Sequence, residues 1–367
     1  MSYFFYNKDN SLVSISNAIL KHFTGECFHN PHKELLEILA KNKHDKVIIM
    51  LFDGMGKSIQ EKHLKESDFL MRKKAFEINS VFPPTTVAAT TALCSGKFPM
   101  ETGWLGWRQY FKNHNVVVDM FTNNNSIDGT KVPGPYLSSL YCNYPKIWEI
   151  LQEKGIKSGC LYPKKIDPSG AETLNDFFQI ADILMKKKEP HFYYMYWTDP
   201  DALIHDNGVD FRGVRDCVKL INKKVCKLAK ENKDNLIIVL ADHSLVDTKF
   251  FNLKEHEDFF STLVTISSLD SRSGFFHVKE GQKEKFKELF NKYYGDYFIL
   301  LTKQEVINQG WFGEGVAHPM FKDFLGDFMA TSISEYGFTF SEDENMVGAH
   351  SGSLKEESII NVAVINK

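Results

Sequence analysis

The run Lys46-Val47-Ile48-Ile49-Met50-Leu51-Phe52 is apolar at six successive positions and stops at Asp53-Gly54. A strand with one wet face alternates apolar and polar residues. A strand apolar at every position must be covered on both sides, the condition of a parallel strand inside an α/β sheet. The Asp-Gly that follows reads as a tight turn at the strand's carboxyl end.

Similar runs recur at Val116–Phe121, His191–Trp197, Leu236–Ala241 and Ile359–Ile365, with helix-like stretches such as Pro145–Lys154, Glu172–Lys188 and Val209–Lys230 between several of them. Strands alternating with helices give a mostly parallel sheet with helices on both faces. Two short helices, near 11–22 and 31–42, are expected to pack outside that sheet. The segment 250–345 reads differently: a strand at Ser273–Val278, a helix at Glu284–Tyr293 and a strand at Tyr297–Leu301 suggest a small inserted α+β cap. The expected division is therefore a catalytic core of 1–249 and 346–367, closed by its last strand, and a cap of 250–345. No repeat or low-complexity tract interrupts it.

The 367 residues can bury a large core, and 43% hydrophobic with 25% charged residues is an ordinary globular balance. The net charge of −3 does not suggest a nucleic-acid or membrane-surface binder, so an anionic substrate has to be attracted locally. No apolar stretch approaches the roughly 18 residues of a membrane span. The start, Met1-Ser2-Tyr3-Phe4-Phe5, lacks the order of a secretory signal. Cys27, Cys94, Cys142, Cys160, Cys217 and Cys226 show no C-x-x-C spacing, which fits reduced thiols in the cytoplasm.

Five short motifs place a nucleophile or metal-binding group after an apolar strand or at a helix start. They are Phe52-Asp53-Gly54, Pro83-Pro84-Thr85-Thr86-Val87, Asp199-Pro200-Asp201 with His205, Ala241-Asp242-His243, and Gly348-Ala349-His350. Each alone is weak, because an Asp after a strand is commonly a helix cap and a lone His is commonly a hydrogen-bonded residue. Five together, at the strand ends where α/β proteins bind ligands, are harder to dismiss.

In this order the motifs resemble the alkaline phosphatase superfamily, and most of all its nucleotide pyrophosphatase/phosphodiesterase branch, over about residues 46 to 365. The resemblance implies a two-metal hydrolase of phosphate esters acting through a threonine nucleophile. Carried over residue by residue, Asp53, Asp242 and His243 match the ligands of one metal, with Thr86 bound to it. Asp201, His205 and His350 match those of the second. Mixed carboxylate and imidazole ligands suit zinc, with manganese the alternative. Two such ions roughly 4 Å apart clamp the attacking and leaving oxygens of an in-line displacement. The implied substrate is a small phosphate ester or nucleotide, and the resemblance leaves monoesters, phosphonates and a catalytically silent binder open.

Thr86 opens the helix-like run Val87–Ser95, where free N–H groups favour a phosphate. Its register follows from matching Ser95-Gly96 to the family's Thr-Gly, with Thr85 as the fallback; N-capping is the other role for either residue. Three departures stand out. The branch has Asn where this chain has Ala89, and Thr90 or a backbone N–H would have to replace it. Ser244 and Ser351 occupy places commonly held by Gly, and the family's frequent secretion signal is not expected for this chain.

The aromatics of Gly103–Phe111 could line a leaving-group pocket or simply pack the core. His318 would sit in the cap, with a surface or capping role. Other readings fail on particular residues. A P-loop ending at Gly56-Lys57-Ser58 needs Gly where Leu51 stands, a sulfatase needs Pro and Arg after Cys94, and there is no G-x-S-x-G elbow.

Overall fold

The computed structural model describes residues 4–41, 45–341 and 346–366. Residues 1–3 and residue 42, at the ends of two expected segments, and 342–345, the end of the expected cap, lie outside them. The central sheet has six strands in the spatial order Lys74–Asn79, Ile359–Ile365, Leu236–Leu240, Lys46–Phe52, His191–Trp197 and Lys157–Leu161. The last four run parallel to one another. Ile359–Ile365 is antiparallel to both its neighbours. The strand with the longest apolar run is thus central, with Val47 through Phe52 all buried.

Helices cover both faces. Leu12–Thr24, Lys33–Lys41, Thr86–Ser95 and Ile147–Glu153 pack together, and Lys57–His63, Leu174–Met185 and Arg212–Glu231 form a second group. The first helix is more than an outer cover, because Leu12 through Leu20 are all buried. Ser16 donates to the Leu93 carbonyl and Asn17 Nδ2 to the Gly96 carbonyl at 2.8 Å, which ties this helix to the far end of Thr86–Ser95. Small residues at Ala88, Ala89 and Ala92 let the helices approach closely, and all three are fully buried.

Val116–Phe121 departs from the expectation of another central strand. Only Val116–Asp119 is extended, and it forms an antiparallel hairpin with Arg108–Phe111. The connection Lys112–His114, closed by Asn115 at φ 48°, is far shorter than the dozen or so residues a parallel crossover needs. This hairpin is the edge of a second sheet, ordered Phe298–Thr302, Phe328–Ser332, Ser273–Phe276, Ser268–Leu269, Arg108–Phe111, Val116–Asp119. Residues 108–119, from the expected core, and 268–332, from the expected cap, therefore share one sheet. Phe259, Phe276, Phe286, Phe290 and Phe338 fill a separate apolar core beside it. Among the described residues no helix is long and apolar enough to cross a membrane.

The register positions the site. Phe52 lies opposite Trp197, and Leu51 opposite both Tyr196 and Leu240, so three parallel strands end level. Asp53, the Asp199–Asp201 turn and Asp242-His243 all leave from that edge.

Candidate active site

Gly54 shows why the central strand ends in Asp-Gly. Its φ is +69°, and a Cβ there would lie 2.9 Å from the Cα of Asp201. The missing side chain thus lets the Asp201 turn sit directly on the strand end. Asp201 opens the helix Asp201–Asn207, which carries His205 one turn later, and both side chains reach the same side. His350 follows the short bridge that pairs Gly348–Ala349 with Val246–Asp247.

The seven residues singled out by sequence come together. Thr86 Oγ1 is 3.1 Å from His243 Nε2 and 3.4 Å from both carboxylate oxygens of Asp53. His243 Nε2 is 3.5 Å from Asp53 Oδ1 and 3.5 Å from Asp242 Oδ2. Asp201 Oδ2 lies 3.2 Å from His205 Nε2, and Asp201 Oδ1 3.9 Å from His350 Nε2. Donor atoms of Asp201, His205 and His350 fall within 4.8 Å of one another, and so do those of Asp53, Asp201 and His243. Asp201 thus reaches both groups, where the resemblance assigns it to one.

Thr85 and Thr86 divide differently from a simple cap. Thr85 is the N-cap residue, but its hydroxyl makes no capping bond. It donates instead to Asp270 Oδ2 at 2.6 Å. Thr86 is the first helical residue, and its hydroxyl faces the carboxylate and imidazole cluster. Thr90 donates to the Thr86 carbonyl at 2.6 Å, so its hydroxyl is spent within the helix.

Electrostatically the cluster asks for positive charge. Burial, then the charges of Asp242 and Asp201, push Asp53 well above the usual carboxylate range. Burial, then Asp201, push Asp242 up to about 7. Burial holds His243 down at about 4 and, with the His243 charge, His350 down at about 3. Burial also opposes charge on His205, but Asp201 outweighs it and raises that imidazole to about 9. Asp201 Oδ1 and Asp242 Oδ2 are buried without a hydrogen-bond partner among the described residues, and the His243 and His350 Nε2 atoms lie toward them. Native interiors seldom leave such atoms unmatched, and a divalent cation would satisfy carboxylates and neutral imidazoles together. The donor set therefore fits metal binding.

Surrounding bonds orient the set. Tyr196 donates to Asp53 Oδ2. The backbone N–H groups of Gly54 and His243 each donate to Asp242 Oδ1 at 3.1 Å. His205 Nδ1 lies 2.8 Å from the Gly348 carbonyl, which can only accept; Nδ1 must carry the proton and Nε2 is left for the cluster. Ser351 stands at φ +84°, the conformation for which the family's Gly is suited, and its hydroxyl accepts from the Arg272 N–H at 3.1 Å.

A cavity of about 590 Å³ opens over Thr86, bounded by Asp201, His205 and His350 and farther out by Trp107, Arg108 and Phe338. Of the Gly103–Phe111 aromatics, Trp107 reaches this cavity, whereas Tyr110 and Phe111 are buried in packing. Trp104 donates to the Cys142 carbonyl at 2.7 Å. His318 Nε2 bonds the Tyr141 carbonyl at 2.9 Å, a structural role away from the cluster. Sequence reasoning missed Asp270 and Tyr196: the first lies in an unremarked turn, the second inside an apolar run.

Residues 47–353 match the family described as type I phosphodiesterase / nucleotide pyrophosphatase. No curated protein sequence matches the chain. Among solved structures, murine ectonucleotide pyrophosphatase / phosphodiesterase 5 is similar, with a TM-score of 0.67, 19% identity and 88% of each chain covered. An inactive form of that murine protein in complex with AMP gives 0.66 at 18% identity, again over 88% of each chain. The human protein of the same name gives 0.66, 18% and 88% of each chain. At these identities the likeness concerns the fold.

Proposed function

The chain belongs to the type I phosphodiesterase/nucleotide pyrophosphatase family of the alkaline phosphatase superfamily, and from that premise we propose that it hydrolyses phosphodiester or pyrophosphate bonds of nucleotide-like substrates with Thr86 as nucleophile. The observation that carries this reading is the approach of Thr86 Oγ1 to His243 and Asp53, 3.1 and 3.4 Å, at the floor of an open cavity. Asp53, Asp242 and His243, with Thr86, would hold one divalent cation, and Asp201, His205 and His350 the other; zinc suits the donors, with manganese the alternative. Such cations supply charge neutralisation of the transferred phosphoryl group and a lowered pKa for the attacking oxygen.

The chain's own residues do the rest. Thr86 presents its oxygen at the first turn of a helix whose free N–H groups favour a phosphate. Attack forms the Thr86 O–P bond as the bond to the leaving group breaks, the hydroxyl proton passing to the departing group or solvent. The remaining ester group stays on phosphorus, and water then cleaves this threonine phosphodiester to release the monoester and restore the hydroxyl. Tyr196 holds Asp53 and the Gly348 carbonyl holds His205, so neither has to reorganise during the reaction. A nucleotide-like substrate is supported by the AMP complex of the murine protein. A reducing, cytoplasmic location belongs to the same proposal and draws on the six free cysteines.

The test is turnover of a p-nitrophenyl diester with added zinc and, separately, manganese, followed by acid quench and mass analysis of the Thr86 peptide. Turnover with an adduct on Thr86 that carries the phosphoryl group and its remaining ester substituent is expected. Protein that binds metal yet turns over no phosphate ester would be a silent binder, and the proposal would fail.

A further inference from the structure

The second sheet reaches into the site through the turn Leu269–Ser273, which matches no motif of the resemblance. Leu269 adopts φ +91°, a conformation that costs a branched residue energy and persists only when its surroundings impose it. One of those surroundings is Gly106, where a Cβ would come within 2.6 Å of the Leu269 carbonyl oxygen. On the other side, Arg272 is wholly buried, with its Nε 2.9 Å from Glu357 Oε1 and an Nη donating to the Ser334 carbonyl at 2.7 Å. Between these two anchors stands Asp270.

The Asp270 carboxylate is fixed at both oxygens. Oδ2 accepts from Thr85 at 2.6 Å, and Oδ1 accepts from the Ser271 N–H at 2.7 Å. It is 7% exposed, and it borders the same cavity as Thr86, His205 and His350. Both partners donate to it, so its place in the site is that of a fixed anion and not of a proton donor. Around the cavity, the described acids Asp119, Asp201, Asp206 and Asp270 outnumber the Arg108 guanidinium and the His205 imidazole, which already pairs with Asp201. Two divalent cations would offset that excess at the reacting phosphate, but the Asp270 charge cannot be moved away.

We propose that Asp270 is a specificity-determining residue that disfavours dianionic phosphoryl groups and so selects monoanionic diesters over monoesters. The inference rests on the hydrolase reading above and names its substrate class. A diester carries one negative charge on the reacting phosphate. A monoester carries a second above the phosphate pKa near 6, and a fixed carboxylate in a partly desolvated cavity acts against that added charge. Thr85 serves as the tether: it aims Asp270 at the cavity while it joins the second sheet to the residue before the nucleophile.

The experiment compares kcat/KM on bis-p-nitrophenyl phosphate and p-nitrophenyl phosphate at pH 8, with saturating zinc or manganese, for wild type, Asp270→Asn and Thr85→Val. Wild type should prefer the diester. Asp270→Asn should shrink the diester-to-monoester ratio about tenfold, mainly through faster monoester turnover, the size expected of one charge across such a cavity. Thr85→Val keeps the charge and loses the tether, so both rates should fall while the ratio moves much less.

The ratio cancels damage common to both substrates, which is why it is the readout. A second measurement needs no variant: for an alkyl monoester, whose second pKa is about 6, the wild-type preference for a matched diester should also shrink at pH 5.5, where that monoester is largely monoanionic. An unchanged ratio in folded Asp270→Asn overturns the proposal, as does a wild-type preference equal at both pH values. Wild type that turns over neither substrate with either metal overturns the hydrolase reading itself, and this proposal falls with it.

Discussion

Tyr196 donates its phenolic proton to Asp53 Oδ2 across two adjacent parallel strands whose register places Leu51 beside Tyr196. The bond fixes which way the Asp53 carboxylate faces and leaves its other oxygen toward His243, 3.5 Å away. A partner that only orients a ligand acts on affinity before it acts on chemistry.

Tyr196→Phe should therefore weaken divalent metal binding by about 10- to 100-fold, the usual cost of losing an orienting hydrogen bond. Excess metal should restore most of the turnover. Metal titration of activity checks this, and a variant still inactive at saturating metal would give Tyr196 a role in the reaction itself.

The Arg272–Glu357 pair predicts a stability effect. Both side chains are fully buried, and Glu357 also accepts from the Gly352 N–H at 2.8 Å, two residues beyond His350. Arg272→Met should cost about 3–5 kcal/mol, because it strands a carboxylate in the interior. Arg272→Met combined with Glu357→Leu should recover a large part of that loss. Urea denaturation of the two variants measures both numbers.

That pair also marks where sequence reading stopped. The central strands were legible because burial on both faces forces continuous apolar runs, as in Val47–Phe52 and His191–Trp197. The two edge strands were not: Lys74–Asn79 begins with two exposed residues, and Lys157–Leu161 mixes exposed Lys157 and Cys160 with buried Ser158. Their half-wet pattern looks like loop. The seven site residues were legible because each stands at a strand or helix end in a fixed order. Asp270 and Arg272 were not, since their meaning comes from contacts with Thr85 and Glu357 at separations of 185 and 85 residues. Nothing near them in the chain carries that information.

Metal content is the next expectation. Two buried unmatched carboxylate oxygens and two overlapping groups of three donors lead us to expect two ions per chain after purification without chelator, by elemental analysis. Ions that bind only the folded chain must stabilise it, by about 2.7 kcal/mol at a free concentration 100-fold above Kd. EDTA should accordingly lower Tm, and zinc or manganese should restore it. A chain that stays metal-free and shows no such shift would remove the basis for the two-cation reading.

The sharpest test lies in two adjacent threonines whose hydroxyls point to different partners. Thr86 Oγ1 faces His243 and Asp53, and Thr85 Oγ1 faces Asp270. Thr86→Ala should abolish nearly all turnover while fold and metal content stay close to wild type. A small residual rate is expected, since nucleophile deletions leave the catalysis that comes from binding and electrostatics. Thr85→Ala should cost far less, on the order of tenfold, because it loosens the placement of the nucleophile without removing it. Were Thr86 only a helix-terminal residue, its loss should cost about 1 kcal/mol of stability and spare the rate. One diester assay and one melting curve per variant separate these outcomes. If Thr85→Ala is the dead variant, the nucleophile is one residue earlier than assigned. If both variants stay active, the covalent route is wrong, and water must attack the phosphorus directly.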